Sequence, residues 1–163
     1  MNDHAAVLAT LCYLKNDGKT LMMHRVNKDN DVHEGKWNGL GGKFEPGETP
    51  EQCVQREVRE EAGVEILEKK LEGLLTFPQF TDDCDWYVFV FTSTDFEGQP
   101  YEESREGNLK WIDDDKLFDL NLWEGDRYFL RWLEDPAFFS ACFVYEDGEL
   151  SNYDSNFYPV NND

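Results

Sequence analysis

Basic residues are scarce in this sequence. Fifteen lysines and arginines stand against 35 aspartates and glutamates, so the formal net charge of the 163 residues is −20. Such a charge repels the backbone of DNA and RNA, and we therefore expect no nucleic-acid polymer as a partner. A small polyphosphate would also be repelled unless a cation and local basic side chains neutralised it, so a phosphate-bearing ligand would favour a metal requirement.

Paired cysteines and long apolar runs are also missing. The four cysteines form no CxxC pair and have no zinc-ligand spacing, which predicts reduced thiols in a cytoplasmic protein. No apolar run is long enough to span a bilayer and no signal-peptide pattern is present, so we expect no membrane partner. Hydrophobic residues nevertheless make up 40% of the chain. One folded domain over residues 1–163, as a monomer or a homodimer, is therefore predicted.

Strand-like and helix-like patterns alternate along the chain. Residues 5–14 and 21–25 flank an Asn16-Asp17-Gly18 turn and predict a β-hairpin. Later patterns predict strands at 71–77, 86–91 and 109–112, a helix with the apolar face Tyr128, Phe129, Trp132 and Leu133, and a closing hairpin at 138–145 and 150–158. Together with a central helix, this order predicts an α/β protein with a mixed sheet flanked by helices.

The central helix follows a glycine-rich loop and has strong capping signals at both ends. Thr49 is a good N-cap, Pro50 suits the first helical position, and Gln52 completes a capping box. Gly63 suits the left-handed conformation that commonly ends a helix. The sequence therefore predicts a helix between Thr49 and Gly63.

Three glutamates share one side of this helix. Glu57, Glu60 and Glu61 are spaced i, i+3 and i+4 and border an apolar stripe. Their mutual repulsion would be relieved by a hard divalent cation, because carboxylate oxygens are the ligands that Mg²⁺ prefers. An ordinary solvated acidic face is the alternative, and the three glutamates by themselves favour it in so acidic a chain.

Candidate ligand-binding residues also occur before the helix. Arg25 is predicted at a pocket edge near a phosphate or a base, with an ordinary surface position as the alternative. Glycines within 39–42 allow close approach of the backbone, and Asn38 beside them can both donate to and accept from a purine edge. His33 in the polar loop 26–36 is a candidate general base, although a surface role is favoured.

Two further sets of residues have both a functional and a plain structural interpretation. The first set could line a base-stacking pocket or simply belong to the core: Phe77, Phe80 and Trp86. The second set, in the polar segment 95–108, could reach a metal site or form a solvated acidic loop: Glu102, Glu103 and Glu106.

The spacing of the loop and the helix together resembles the Nudix box. Gly42 is followed after five residues by Glu48 and, after seven more, by the run from Arg56 to Val64, with every defining position filled. The resemblance implies a Nudix hydrolase with an α-β-α sandwich and a mixed, partly curled β-sheet. It also implies metal-dependent cleavage of a nucleoside diphosphate linkage.

The resemblance assigns metal ligands as well. Glu57, Glu60 and Glu61 are expected to hold Mg²⁺, with Mn²⁺ as an alternative ion. The carbonyl of Gly41 or Gly42 would complete the coordination shell.

Catalytic and bracing roles follow from the same resemblance. Arg56 is expected to orient a catalytic glutamate through an ion pair, and Glu48 to brace the loop. Glu60 or Glu57 is expected to act as general base, with Glu106 as an additional metal ligand or base.

The similarity extends well beyond the box. Residues 35–43, 108–111, 122–126 and 136–158 resemble the members of this family that act as 8-oxo-dGTP diphosphatases of the MutT and MutX type. Such enzymes release a nucleoside monophosphate and pyrophosphate.

The resemblance also assigns the residues that recognise the base. Trp123 is expected to stack on a purine, Asn38 and Asp126 to read its edge, and Arg25 and Phe77 remain further substrate-binding candidates.

One position departs from that branch of the family. Gly125 stands where related enzymes carry the first of two adjacent acidic residues, leaving Asp126 and, as a substitute, Glu124. The accepted base is therefore open. Hydrolysis of another diphosphate derivative, such as ADP-ribose or a dinucleoside polyphosphate, and a nucleotide-binding module without catalysis are the alternatives.

Overall fold

The strands and helices follow the predicted order. The computed structural model describes residues 5–26 and 31–161, so part of the predicted loop 26–36 lies outside the described residues. The elements are β1 (Ala6–Asn16), β2 (Lys19–His24), β3 (Trp37–Asn38), α1 (Pro50–Ala62), β4 (Glu65–Thr81), β5 (Cys84–Glu97), β6 (Asn108–Asp113), a 3₁₀ helix (Asp114–Asp119), α2 (Asp126–Trp132), β7 (Phe138–Glu146) and β8 (Glu149–Tyr158).

The strands form one mixed sheet. Their order is β3-β2-β1-β5-β4-β7-β8, and β6 pairs with β2 beside that path. Two central pairings are parallel, β1 with β5 and β4 with β7, whereas the remaining pairings are antiparallel. Within the described part of the chain the sheet stays open rather than closing into a barrel. The predicted mixed sheet is confirmed.

Local sequence explains where α1 begins and ends. The Thr49 hydroxyl accepts from the Gln52 N–H at 3.1 Å, and the Gln52 side chain accepts from the Thr49 N–H at 2.9 Å, which completes the predicted capping box. Gly63 adopts φ +69°, a conformation that side-chain-bearing residues rarely take, and its N–H bonds to the Arg59 carbonyl. The caps therefore fix the helix frame that carries the glutamates.

The two faces of the sheet are covered by different helices. On one face, Val54 and Val58 of α1 pack with Cys12 and Leu14 of β1. On the other face, Phe129 of α2 belongs to a second core cluster that includes the alternate β1 residues Ala9 and Tyr13. The period-two alternation of β1 thus supplies both cores. The predicted α-β-α sandwich is confirmed.

Several elements differ in length from the prediction. β4 and β5 extend beyond residues 71–77 and 86–91 because their antiparallel ladder continues through register shifts into polar sequence. α2 has only seven residues, but its predicted apolar face packs on the core: Phe129 is fully buried, and Tyr128, Trp132 and Leu133 are partly buried against the same cluster. Phe129 and the buried Leu130 follow Asp126 at spacings i+3 and i+4, and Asp126 is itself buried in the first turn. The prediction of a single domain over the whole chain stays a prediction.

Among the described residues, no helix combines the length and the apolar character needed to cross a membrane.

Candidate active site

A cleft of about 900 Å³ contains most of the predicted site residues. Its walls come from β1, the segment before α1, α1 itself, β4, β5 and the start of α2. One group of lining side chains is charged: Arg25, Arg56, Glu57, Glu61 and Glu106. A second group is aromatic or polar: Asn38, Phe77, Phe80, Trp123, Asp126 and Tyr145. A volume of this size suits a nucleotide-sized ligand.

Glu61 is anchored to the glycine-rich loop. Its carboxylate accepts a hydrogen bond from the Gly41 N–H at 3.1 Å. Burial raises the pKa of Glu61 to about 8, and the nearby carboxylates of Glu57 and Glu106 add to this rise, against the opposing effects of the Gly41 hydrogen bond and Arg25. Several acidic groups are thus concentrated here with too little positive charge to offset them, which is the electrostatic setting that a cation would relieve.

Glu57 lies against the backbone of the same loop. A methyl group built on Gly42 would come within 2.5 Å of the Glu57 carboxyl carbon, so glycine provides the space that this side chain occupies. Burial raises the pKa of Glu57, while its ion pair with Arg56 opposes the rise. The Gly42 carbonyl already accepts from the Thr10 N–H at 2.9 Å, which favours the Gly41 carbonyl as the candidate metal ligand.

The Arg56 side chain donates hydrogen bonds to three carboxylates. Its Nε and Nη2 donate to the two oxygens of Glu48 at 2.7 and 2.9 Å, and its Nη1 donates to Glu57 at 2.8 Å and to Glu60 at 3.2 Å. Glu48 in turn accepts from the Glu45 N–H at 2.8 Å. The predicted ion pair of Arg56 with glutamates is thus present, while the orienting role of Arg56 and the bracing role of Glu48 stay predictions.

Not all predicted acidic ligands lie in the cleft. The Glu60 side chain is 59% exposed and does not line the cleft, and Glu102 and Glu103 are also exposed. Glu106 does line it and forms a 2.9 Å ion pair with Arg25. The oxygen donors of the cleft suit a hard cation. Within residues 5–26 and 31–161, however, no three acidic, histidine or cysteine side chains form a ready-made metal cage.

The second group of side chains surrounds Trp123. This buried ring has T-shaped contacts with Phe80 at 5.4 Å and Tyr145 at 5.2 Å, while Phe77 stacks on Tyr145 at 6.4 Å. Phe77 and Phe80 thus both line the cleft and pack against other rings, and their base-stacking role stays a prediction. The Nζ atom of Lys36 lies 5.1 Å from the centre of the Trp123 ring.

Two polar groups of this region are buried. The Asn38 side-chain oxygen has no hydrogen-bond partner among the described residues. Burial raises the pKa of Asp126 to about 7, although Lys36 and Arg127 oppose the rise. A buried acceptor and a carboxyl that is partly protonated at neutral pH provide hydrogen-bonding capacity that a heterocyclic base could satisfy.

Sequence reasoning missed part of this site. His33 was expected at the surface but is half-buried, and its Nδ1 accepts from the Trp123 indole N–H at 2.8 Å. Arg25 lines the cleft, as predicted, but its pairing with Asp31 and Glu106 was not foreseen. The polar loop around His33 has no periodicity, so no sequence signal indicated either partner.

The fold and the cleft define a mixed α/β sandwich in which a capped helix directs glutamates toward a nucleotide-sized cavity. The NUDIX domain profile matches residues 4–133, and the chain belongs to the Nudix family. Nudix hydrolases generally use divalent metal ions, and this chain is a hydrolase of that family.

Individual relatives and structures agree with the predicted branch. The uncharacterized Nudix hydrolase YvcI of Bacillus subtilis (strain 168) is 34% identical over 149 residues, which cover 88% of this chain and 90% of the relative. The oxidized purine nucleoside triphosphate hydrolase of Danio rerio is 34% identical over 143 residues, with 88% and 89% covered. The crystal structure of the mutator MutT protein from Bacillus halodurans has a TM-score of 0.82 at 27% identity, covering 92% of this chain and 97% of that one. The resemblance to MutT-like proteins is confirmed.

Proposed function

We propose that this protein is a Mg²⁺-dependent nucleoside triphosphate pyrophosphohydrolase that converts oxidised purine nucleotides, such as 8-oxo-dGTP, to the monophosphate and pyrophosphate. One observation carries the proposal. A single cleft combines a group of carboxylates from the Nudix helix with an aromatic region that contains the unpaired Asn38 oxygen and the buried Asp126 carboxyl. The similarity to the oxidized purine nucleoside triphosphate hydrolase of Danio rerio supports the choice of substrate.

The charged group is suited to phosphate chemistry. Glu61, Glu106 and the Gly41 carbonyl would hold the metal ion, with Glu57 as a further ligand where it does not act as the general base, and Mn²⁺ is the alternative to Mg²⁺. The bound ion would neutralise phosphate charge and lower the pKa of a water molecule. Arg56 holds the Glu57 carboxylate through a 2.8 Å hydrogen bond, which fixes its orientation within the cleft.

Glu57 is the preferred general base. It lines the cleft, whereas Glu60 is largely exposed outside it, and burial raises the Glu57 pKa. A higher pKa makes a carboxylate a better acceptor for the proton of an attacking water. Glu60 then serves as a second partner of Arg56 that helps to hold the arginine in place.

The aromatic group is suited to a purine. Trp123 and Phe77 provide apolar surface for the ring system, while Asn38 offers an unpaired acceptor. Asp126 can donate a hydrogen bond when protonated and accept when ionised, and its pKa of about 7 makes both forms available at neutral pH. These groups could read an oxidised purine edge without a second acidic residue at position 125.

The proposed setting is the cytoplasm, and the proposed partner is a free nucleotide. The net charge of −20 disfavours a nucleic-acid polymer. We propose a monomer or a homodimer.

A substrate panel tests the proposal. Purified protein, first stripped of metal, is assayed with Mg²⁺ or Mn²⁺ against 8-oxo-dGTP, dGTP, dATP, ADP-ribose and dinucleoside polyphosphates, and pyrophosphate is measured. The proposal predicts metal-dependent pyrophosphate release with 8-oxo-dGTP preferred. Preference for ADP-ribose or a dinucleoside polyphosphate would replace it with the other hydrolase function, and binding without turnover would indicate a non-catalytic module.

Variants separate the catalytic residues from the general acidity. Glu57→Gln and Glu61→Gln should each lower turnover by at least about 100-fold. Loss of an outer-shell partner costs up to about 100-fold, and loss of a direct ligand or base should cost at least as much. Glu68→Gln is the control, because Glu68 is exposed on β4 and undergoes the same charge change. Trp123→Ala should raise the KM for 8-oxo-dGTP, and unchanged kinetics in that variant would argue against a purine stacking on this ring.

A further inference from the structure

Trp123 is held by a hydrogen bond to a residue of a different loop. Its indole N–H donates to Nδ1 of His33 at 2.8 Å, and the two rings meet edge to face with their centres 5.7 Å apart. Burial and the positive charge of Arg25 lower the pKa of His33 to about 4. The imidazole is therefore neutral near pH 7 and its Nδ1 can accept the indole proton.

Asp31 fixes His33 from the other side. One oxygen of its carboxylate accepts from the His33 backbone N–H at 3.1 Å, and the other accepts from Nε and Nη2 of Arg25 at 2.9 and 2.6 Å. Burial alone would raise the pKa of Asp31, but the hydrogen bonds from His33 and Arg25 outweigh it and hold the pKa below its usual value. Asp31 is therefore ionised, and both of its carboxylate oxygens accept hydrogen bonds.

Arg25 extends the connection to the charged group of the cleft. Its remaining nitrogen, Nη1, lies 2.9 Å from Glu106, and its backbone N–H and carbonyl bond to Lys36 and Gly35. Only 14% of the Arg25 side chain is exposed. The positive charge of Arg25 is thus paired with two carboxylates inside the protein, which makes Arg25 a weaker candidate for direct phosphate binding than an unpaired cation.

We propose that His33, supported by Asp31 and Arg25, is a positioning residue that fixes the orientation of the Trp123 ring in the cleft. The role deepens the proposed function, since it concerns the ring expected to stack on a purine. A free indole could turn about its side-chain torsions, and an ordered one loses less entropy when a base binds. Hydrogen bonds connect Trp123 through His33 and Asp31 to Arg25, and Arg25 forms an ion pair with Glu106, so base-stacking and acidic side chains share one support.

The test replaces His33 with two residues of different hydrogen-bonding capacity. His33→Leu removes the acceptor, whereas His33→Asn places an amide oxygen close to the position of Nδ1 and should restore it. The indole N–H signal of Trp123, assigned by its loss in Trp123→Phe, is followed by ¹H–¹⁵N NMR. We expect hydrogen exchange at this N–H to be at least about 10-fold faster in His33→Leu, and near the wild-type rate in His33→Asn.

Matched variants in the same loop complete the experiment. Glu34→Gln changes an exposed neighbour and should leave the Trp123 signal as in the wild type. Asp31→Asn weakens the support of His33 and should give faster exchange than the wild type. An unchanged Trp123 signal in His33→Leu would overturn the proposal, whatever the substrate proves to be.

Kinetics distinguish positioning from a general loss of structure. In His33→Leu, we expect the KM for 8-oxo-dGTP to rise about 10-fold with kcat nearly unchanged, the equivalent of one neutral hydrogen bond. An equal loss of kcat on every nucleotide, with a lower melting temperature, would overturn the positioning role. If the wild-type protein does not hydrolyse purine triphosphates, the proposed function fails, but the NMR result still decides whether His33 orders Trp123.

Discussion

The hydroxyl group of Tyr145 occupies the space beside Gly125. It accepts a hydrogen bond from the Gly125 N–H at 2.7 Å, and a methyl group built on Gly125 would lie 2.7 Å from that oxygen and 2.9 Å from a ring carbon of Phe143. Glu124, the other acidic candidate, is exposed and does not line the cleft. Asp126 is therefore the only acidic side chain of the segment 122–126 that lines this region.

This contact predicts that an acidic residue is poorly tolerated at position 125. Gly125→Asp should lower the free energy of unfolding by about 1–3 kcal/mol, because the new side chain must displace Tyr145 or Phe143. Tyr145→Phe should cost about 1–2 kcal/mol, since it leaves the buried Gly125 N–H unpaired. The double variant should be less destabilised than the sum of the two by roughly 1 kcal/mol. Urea unfolding measures all three, and strict additivity would contradict the steric account.

Asp126 predicts a pH-dependent stability. Burial raises its pKa from 3.8 to about 7, so folding favours the protonated carboxyl. Its contribution to stability is fully present below about pH 4 and is lost as the pH rises to about 7. Asp126→Asn removes this titration. The free energy of unfolding of the variant relative to the wild type should therefore improve by roughly 2–3 kcal/mol between pH 5 and pH 8.

Urea unfolding at several pH values checks this prediction. The difference between the two proteins isolates Asp126 because the other titratable groups are common to both. Asp115→Asn is the charge-matched control, since this residue is exposed in the 3₁₀ helix. A difference between Asp126→Asn and the wild type that stays constant from pH 5 to pH 8 would contradict a raised pKa.

The predictable part of the molecule is the part determined by neighbours in sequence. Thr49 and Gln52 cap α1 through contacts three residues apart, and the Asn16-Asp17-Gly18 turn joins two adjacent strands. The unpredicted contacts join distant segments. His33 and Trp123 are 90 residues apart, and Gly125 and Tyr145 are 20 residues apart, in elements brought together by the sheet and α2.

The acidic residues illustrate the same limit. Helical spacing correctly grouped Glu57, Glu60 and Glu61, but it could not indicate which of them would reach the cleft. That depends on how α1 is rotated against β1, where Val54 and Val58 bury one side and leave Glu60 outward. Arg25 lies at the cleft as predicted, but its partners Asp31 and Glu106 could not be foreseen because they lie in polar segments without periodicity.

Gly42 is predicted to control the position of Glu57. In Gly42→Ala, the added methyl group would lie 2.5 Å from the Glu57 carboxyl carbon, so the carboxylate must move. The end of a flexible side chain can move with little loss of stability, but a displaced carboxylate should lower kcat by about 10- to 100-fold. Turnover and melting temperature are measured together.

Gly148→Ala is the control for this substitution. Gly148 has φ +80° and open space around its missing side chain, so alanine there should cost about 1 kcal/mol of stability without changing turnover. The two variants are therefore expected to separate in opposite directions, one losing activity and the other losing stability. Wild-type turnover in Gly42→Ala would show that Glu57 does not need its observed position.

Lys43 is predicted to bind the phosphates in place of Arg25. It lines the cleft, and its Nζ atom lies 5.4 Å from the centre of the Trp86 ring, a contact much weaker than the carboxylate pairs of Arg25 and Arg56. An ammonium group on a flexible stem can turn from the ring to a polyphosphate. Lys43→Gln should therefore raise the KM for a nucleoside triphosphate about 10-fold, in the range of one charge-assisted hydrogen bond.

Lys110→Gln is the charge-matched control, because Lys110 is exposed on β6 and outside the cleft. Initial rates are measured for both variants at two salt concentrations. A rise in KM for Lys43→Gln alone would indicate a local contact with the phosphates. Equal changes in both variants would mean that Lys43 acts only through its contribution to the net charge.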